Sequence, residues 1–133
     1  MTAVFADTSF YIAFVNPRDA AHPAAMDFVR QFRGKSVTTE YVLVEVGNWL
    51  ARSGDRGVFL NLLRDLRADS RATIVAGSHA LFEAGLGLFS GRPDKGWSMT
   101  DCISFAVMAQ HQLTEALTAD HHFEQAGFKV LLK

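Results

Sequence analysis

Four carboxylates stand in unusually apolar company along this chain. Asp7 ends the run Ala3-Val4-Phe5-Ala6, and Asp120 follows Leu117-Thr118-Ala119. Glu45 lies between Val44 and Val46, with Leu43, Trp49 and Leu50 nearby, and Asp101 precedes Cys102-Ile103. A charge in such surroundings needs a partner, hydrogen bonds or a solvent-filled cleft. A hard divalent cation answers that need, because Mg2+ prefers carboxylate and water oxygens. Each acid also has an ordinary use. Asp7 and Asp120 can cap helices, Ser98 and Asp101 match the Ser-x-x-acid capping box, and Glu45 can lie on the wet stripe of a helix. Spacing alone leaves both uses open.

The elements that would position these acids follow from the apolar pattern. Residues 3–6 read as a strand buried on both faces. A helix over 9–15 follows and stops before Pro17. Ala21, Ala25, Phe28, Val29 and Phe32 recur at helical spacing, with Arg30 and Arg33 toward solvent and Gly34 as the stop. After a short strand over 36–38, Thr39 caps a helix through Trp49 to about Ser53, closed by Gly54. Val58, Phe59, Leu62, Leu63 and Leu66 mark a second helix, so that a helical hairpin precedes a strand over 72–75. Residues 79–89 are helical although Gly85 and Gly87 weaken the pattern. The segment 90–96 is a loop by composition and 97–111 a largely apolar helix. Last come a strand over 116–119, a helical turn over 120–125 and a strand over 129–131. Short strands alternating with helices imply an α/β sandwich with a mostly parallel sheet. The carboxyl ends of such strands form the usual ligand edge, where Asp7 and Asp120 can share a site from opposite ends of the sequence.

Composition bounds the answer further. Across 133 residues, 13 Lys and Arg against 14 Asp and Glu give a net charge of -1, with 49% hydrophobic and 20% charged residues. One domain spanning 1–133 is expected, and a disordered chain, a polybasic tail and a coiled coil are excluded. The single Cys102 permits no intrachain disulfide and no Cys-rich metal cluster, which points to a reducing, cytoplasmic setting. No apolar window is long enough for a membrane span. The start lacks a secretion signal, so order is expected to begin almost at Met1. Cys102 reads as a small core side chain rather than the partner of His111. His121 and His122, adjacent on a helical turn, would point about 100° apart, which does not suit shared ligation. Trp49 and Trp97 read as core or interface packing. Eleven phenylalanines leave apolar surface for a homodimer, with Phe10, Phe14, Phe28 and Phe32 expected to serve both the core and a twofold interface.

Four blocks carry a family resemblance. They are Phe5-Ala6-Asp7-Thr8-Ser9, then Glu40-Tyr41-Val42-Leu43-Val44-Glu45-Val46, then Trp97-Ser98-Met99-Thr100-Asp101-Cys102-Ile103-Ser104-Phe105, and finally Leu117-Thr118-Ala119-Asp120-His121-His122-Phe123 with Gly127-Phe128. All four, in this order, resemble the PIN-domain ribonucleases, specifically the VapC-like toxins, over nearly the whole chain. The resemblance implies a PIN-like three-layer sandwich with a five-stranded sheet and helices on both faces. It implies that Asp7, Glu45, Asp101 and Asp120 converge at the carboxyl edge, bind Mg2+ or Mn2+, and position a water for hydrolysis of an RNA phosphodiester. The cation in such chemistry acidifies the water and offsets the repulsion between acids and phosphate.

Ser9 and Thr118 match the family's small hydroxyl positions beside the acids. Either can orient a water or an acidic ligand, or instead cap a turn and satisfy a strand edge. Asp94 is a further acid near the mouth, in a loop where it can also be simply solvated, and the flanking Arg92 and Lys95 can attract RNA phosphate. A separately encoded antitoxin is the implied partner. Two other functions compete. An aspartate-dependent phosphatase or phosphotransferase would use Asp7 as nucleophile, but Thr8-Ser9 stands where a second Asp is expected. A noncatalytic RNA-binding or protein-interaction module has no need of all four acids.

Overall fold

The computed structural model describes residues 3–133, so the expected start of order at Met1 lies outside the described residues. Five strands, β1 (Ala3–Ala6), β2 (Lys35–Thr39), β3 (Ala72–Val75), β4 (Glu115–Leu117) and β5 (Lys129–Val130), form one sheet in the order β3-β2-β1-β4-β5. Every neighbouring pair is parallel, so the sheet expected to be mostly parallel is entirely so. Phe5 stands opposite Val37 on one side and Ala116 on the other, and Ala6 opposite Leu117. Val4, Phe5 and Ala6 are at most 1% exposed. That is why β1 reads as an unbroken apolar run rather than an alternating one.

The connections carry seven helices: α1 (Thr8–Val15), α2 (His22–Gln31), α3 (Glu40–Arg52), α4 (Arg56–Ala68), α5 (His79–Gly91), α6 (Met99–Gln110) and α7 (His121–Gln125). From β1 through β2 to β3 the chain steps one way across the sheet, then returns past β1 to β4 and β5. Parallel crossovers are right-handed, so the reversal places helices on both faces. It also makes the gap between β1 and β4 the topological switch point, where open α/β sheets bind ligands.

Local signals set the helix ends. The Thr39 side chain accepts from Val42 N–H, as expected of a cap, and Gly54, just beyond α3, adopts the left-handed φ of +80°. Several boundaries differ from the sequence pattern by a residue or two. α6 begins at Met99, not at 97, because Ser98 caps it and Trp97 turns aside to pack edge-on against Phe105 at 5.1 Å. β4 ends at Leu117 because Thr118 and Ala119 leave the ladder for contacts described below. α5 runs to Gly91 straight through Gly85 and Gly87. Gly85 is there for closeness, since a Cβ would collide with Ile103 Cγ1 and come within 3.1 Å of the Ile103 backbone nitrogen.

The four phenylalanines expected to serve core and interface alike all pack against the core, with Phe14, Phe28 and Phe32 half-buried. Phe10 is buried, and with Phe14, Phe28 and Phe32 it lines a cavity of about 250 Å3 shared with Leu62 and Leu66 of α4. Val29 is the exposed apolar side chain beside this cavity, and others sit at Val44, Trp49, Val58 and Leu60 on α3 and α4 and at Phe82, Leu86, Leu88 and Phe89 on α5. Among the described residues, no helix is long and apolar enough to cross a membrane.

Candidate functional site

β1 and β4 leave the sheet side by side. Asp7 N–H donates to Leu117 O at 3.2 Å, which sets the Asp7 side chain next to that of Thr118. Thr118 Oγ1 donates to Asp7 Oδ2 at 2.9 Å and accepts from Asp120 N–H at 3.0 Å. Ser9 Oγ lies 2.8 Å from Thr118 Oγ1 and accepts from Ala119 N–H at 3.3 Å. A hydroxyl has one proton, and that of Thr118 points at Asp7, so the Ser9 hydroxyl donates to Thr118. The relay Ser9 to Thr118 to Asp7 fastens α1 to the end of β4 and orients the first acid.

The other acids are held in a similar way. Glu45, half-buried on α3, accepts from Thr8 Oγ1 at 2.6 Å through Oε1. Asp101, on the first turn of α6, accepts from Ser98 N–H at 3.1 Å through Oδ2, completing a capping box with Ser98. Asp120 caps α7 by accepting from His122 N–H at 2.9 Å through Oδ1. Asp7 stands at the N-cap of α1 but makes no side-chain cap hydrogen bond. Capping therefore accounts for part of what Asp101 and Asp120 do and for none of what the Asp7 carboxylate does.

Asp7, Glu45, Asp101 and Asp120 all line one open cleft of about 500 Å3, together with Ser9, Ser98 and His122. Each has a named oxygen fixed by a donor, which leaves the other oriented but less engaged. Asp7 is 5% exposed and Asp101 8%. Burial, with smaller contributions from the Asp101 and Asp120 charges, pushes the Asp7 carboxyl up to about 7, against the lowering effect of the Thr8 N–H and Thr118. Four carboxylates lining one cleft, each with one oxygen held by a donor, are a donor set suited to a hard divalent ion such as Mg2+ or Mn2+. His121 and His122 come nearer to this set than their helical projection suggests. Their ring centroids lie 4.4 Å apart at a tilt of 49°, and with Asp120 they offer ligand atoms within 4.8 Å of one another.

Several residues fall elsewhere. Asp94 does not line the cleft. It is exposed and paired with Arg92, whose Nε and Nη2 each donate to it at 3.0 Å and hold its carboxyl below the usual range. Arg92 also lies over the Trp97 ring at 5.4 Å. Lys95 sits half-buried in the same loop, beside the cleft-lining Gly96. Cys102 is fully buried, as expected, and burial raises its thiol. Trp97 is buried, but Trp49 departs from the expected core packing, being 37% exposed where it lines the cleft. The reason is its place one turn after Glu45, on the same helical stripe. Thr8 and Asp19 are further residues of the cleft that the sequence pattern does not single out, and His122, set aside there as a shared ligand, joins them; the i+4 and i+2 spacings from Glu45 and Asp120 are the signals that point to Trp49 and His122.

Comparison with known proteins adds three findings. The family model described as the PIN domain matches residues 4–129. The chain is similar to the crystal structure of Mycobacterium tuberculosis VapC20, a sarcin-ricin loop cleaving toxin, at 26% identity and a TM-score of 0.86, over 94% of this chain and 95% of that one. It shares its fold with a chain of a toxin-antitoxin complex from Klebsiella pneumoniae, at 18% identity and a TM-score of 0.59, over 89% of this chain and 87% of that one. A search of the curated proteins found no match.

Proposed function

Because the chain belongs to the PIN-domain family, we propose that it is a divalent-metal-dependent endoribonuclease, the toxin of a toxin-antitoxin pair, acting through Asp7, Glu45, Asp101 and Asp120. The observation that carries this reading is the convergence of four carboxylates from four elements in one cleft, each with one oxygen already held. The likeness to VapC20 supports a structured ribosomal RNA loop as the substrate class. The shared fold with a chain of a toxin-antitoxin complex supports an antitoxin as partner. The same reading takes the chain as a single cytoplasmic domain, with the apolar face of α5 as the natural contact for a second copy.

The four acids would hold Mg2+ or Mn2+. Such an ion, when bound, stabilises developing phosphate charge and lowers the pKa of the attacking water. The chain's own share is orientation. Thr118 and Thr8 fix Asp7 and Glu45 from below, so little reorganisation remains when substrate arrives. Trp49 lines the cleft as an exposed aromatic face on which a base can stack. Asp7 is poorly placed as a phosphatase nucleophile, being nearly inaccessible and tied to Thr118.

The test compares native protein with Asp101→Asn on ribosomal RNA, with and without Mg2+ or Mn2+, by single-turnover cleavage and sequencing of new ends. Native cleavage should require the ion, and the variant should lose at least about 100-fold in rate, as removal of several kcal/mol of charge stabilisation implies. Asn retains a carbonyl that can accept the Ser98 N–H, so the fold should persist. Normal cleavage by the folded variant at limiting ion would sink the assignment.

A further inference from the structure

Two of the four carboxylates share a neighbour whose side chain has no role in the reading so far. His122 Nδ1 lies 3.1 Å from Asp101 Oδ2 and 3.4 Å from Asp120 Oδ1. Asp101 belongs to α6, and Asp120 to the turn between β4 and α7. Among the described residues, no other side chain pairs with both. The imidazole side chain is 23% exposed, lies against the tilted His121 ring at 4.4 Å, and has its Nε2 edge over Gly96, where a Cβ would meet it at 3.8 Å. Its position is therefore set from three sides.

A carboxylate only accepts hydrogen bonds, so Nδ1 must carry the proton in this contact. Asp101 Oδ2 then receives two donors, Ser98 N–H and His122 Nδ1–H, and is fully occupied. The other Asp101 oxygen is left without either donor, on a residue that lines the cleft. We infer that His122 is a positioning residue that, through Nδ1–H, locks the Asp101 carboxylate in orientation and fixes its separation from Asp120, so that the two acids meet one cation together. The inference rests on the reading of the four acids as the cation site. Removing the partner that orients a metal-binding group usually costs about 10–100-fold in ion affinity.

Side-chain isosteres separate the two ring nitrogens. Asn at 122 places an amide nitrogen near the position of Nδ1, whereas Gln places one near Nε2. His122→Ala, His122→Asn and His122→Gln are to be compared with native protein by calorimetric Mn2+ titration, thermal unfolding and steady-state RNA cleavage. The Ala and Gln variants should lose about 10–100-fold in Mn2+ affinity, with a matching fall in kcat and unchanged KM for RNA. The Asn variant should stay within a few-fold of native. Native Mn2+ affinity in the Ala variant overturns the inference. Gln outperforming Asn also overturns it, because the working atom is then Nε2. Equal losses of affinity and of unfolding temperature in all three variants reduce His122 to a structural part and overturn it too. The titration needs no cleavage, so Nδ1-dependent ion binding by a protein that cuts no RNA upholds the positioning role while defeating the nuclease reading.

Discussion

Thr118 Oγ1 donates to Asp7 Oδ2 at 2.9 Å across 111 positions of sequence. Both side chains are shielded from solvent, so the bond has no water to replace it. Thr118→Val keeps the shape and removes the hydroxyl, leaving a buried carboxylate oxygen and the Asp120 N–H without their partner. The expected cost is about 1–3 kcal/mol of stability and about 10–100-fold in cleavage rate. Thr118→Ser should restore most of both. Urea unfolding and single-turnover cleavage measure the two effects, and full activity in the Val variant would remove Thr118 from the site.

The raised Asp7 carboxyl predicts an unusual pH dependence. Its folded value of about 7 stands above the ordinary 3.8. Between those values the native state binds more protons than the unfolded chain, so this group's contribution falls as pH rises and levels off above about 7. Asp7→Asn abolishes that slope. At pH 8 in chelator the variant should be the more stable protein, by on the order of 4 kcal/mol, while cleaving no RNA. Denaturant unfolding of both proteins from pH 4 to 8 gives the difference curve; a difference that stays flat, or that favours native protein at high pH, contradicts the assignment.

Trp49 offers an aromatic face at the cleft while remaining 37% exposed. If a base stacks there, Trp49→Ala should raise KM for RNA by about 5- to 150-fold, the equivalent of 1–3 kcal/mol of stacking. The single-turnover rate at saturating RNA should stay near native. Trp49→Phe should recover part of the affinity. An unchanged KM in the Ala variant would return Trp49 to simple packing.

The acids announce themselves in the sequence because charges amid apolar runs are rare, and the runs mark where strands end. What joins the acids is less visible. The Thr118–Asp7 bond depends on the register of β1 against β4, which no local pattern encodes. The partnership of Arg92 with Asp94 removes both from the cleft, yet in sequence they look like a cation and an acid at its mouth. Gly85 lowers helix propensity, but the tight approach of α5 to Ile103 overrides that local weakness. Helical projection separates His121 and His122, whereas at the start of the short α7 their rings meet at 4.4 Å.

The pairing of β1 with β4 also has a kinetic meaning. The first strand, at the centre of the sheet, has as one of its two neighbours one of the last to be synthesised, and such long-range parallel pairing is among the slower events in folding. A chain that has joined β1, β2 and β3 already contains Asp7 and Glu45 but lacks Thr118 and Asp120 beside them. Such a partial chain has half a site and lacks the Thr118 hydroxyl that holds Asp7. Hydrolytic competence then waits for β4 to take its place beside β1, so a nascent chain that has not yet supplied Thr118 and Asp120 carries no complete site.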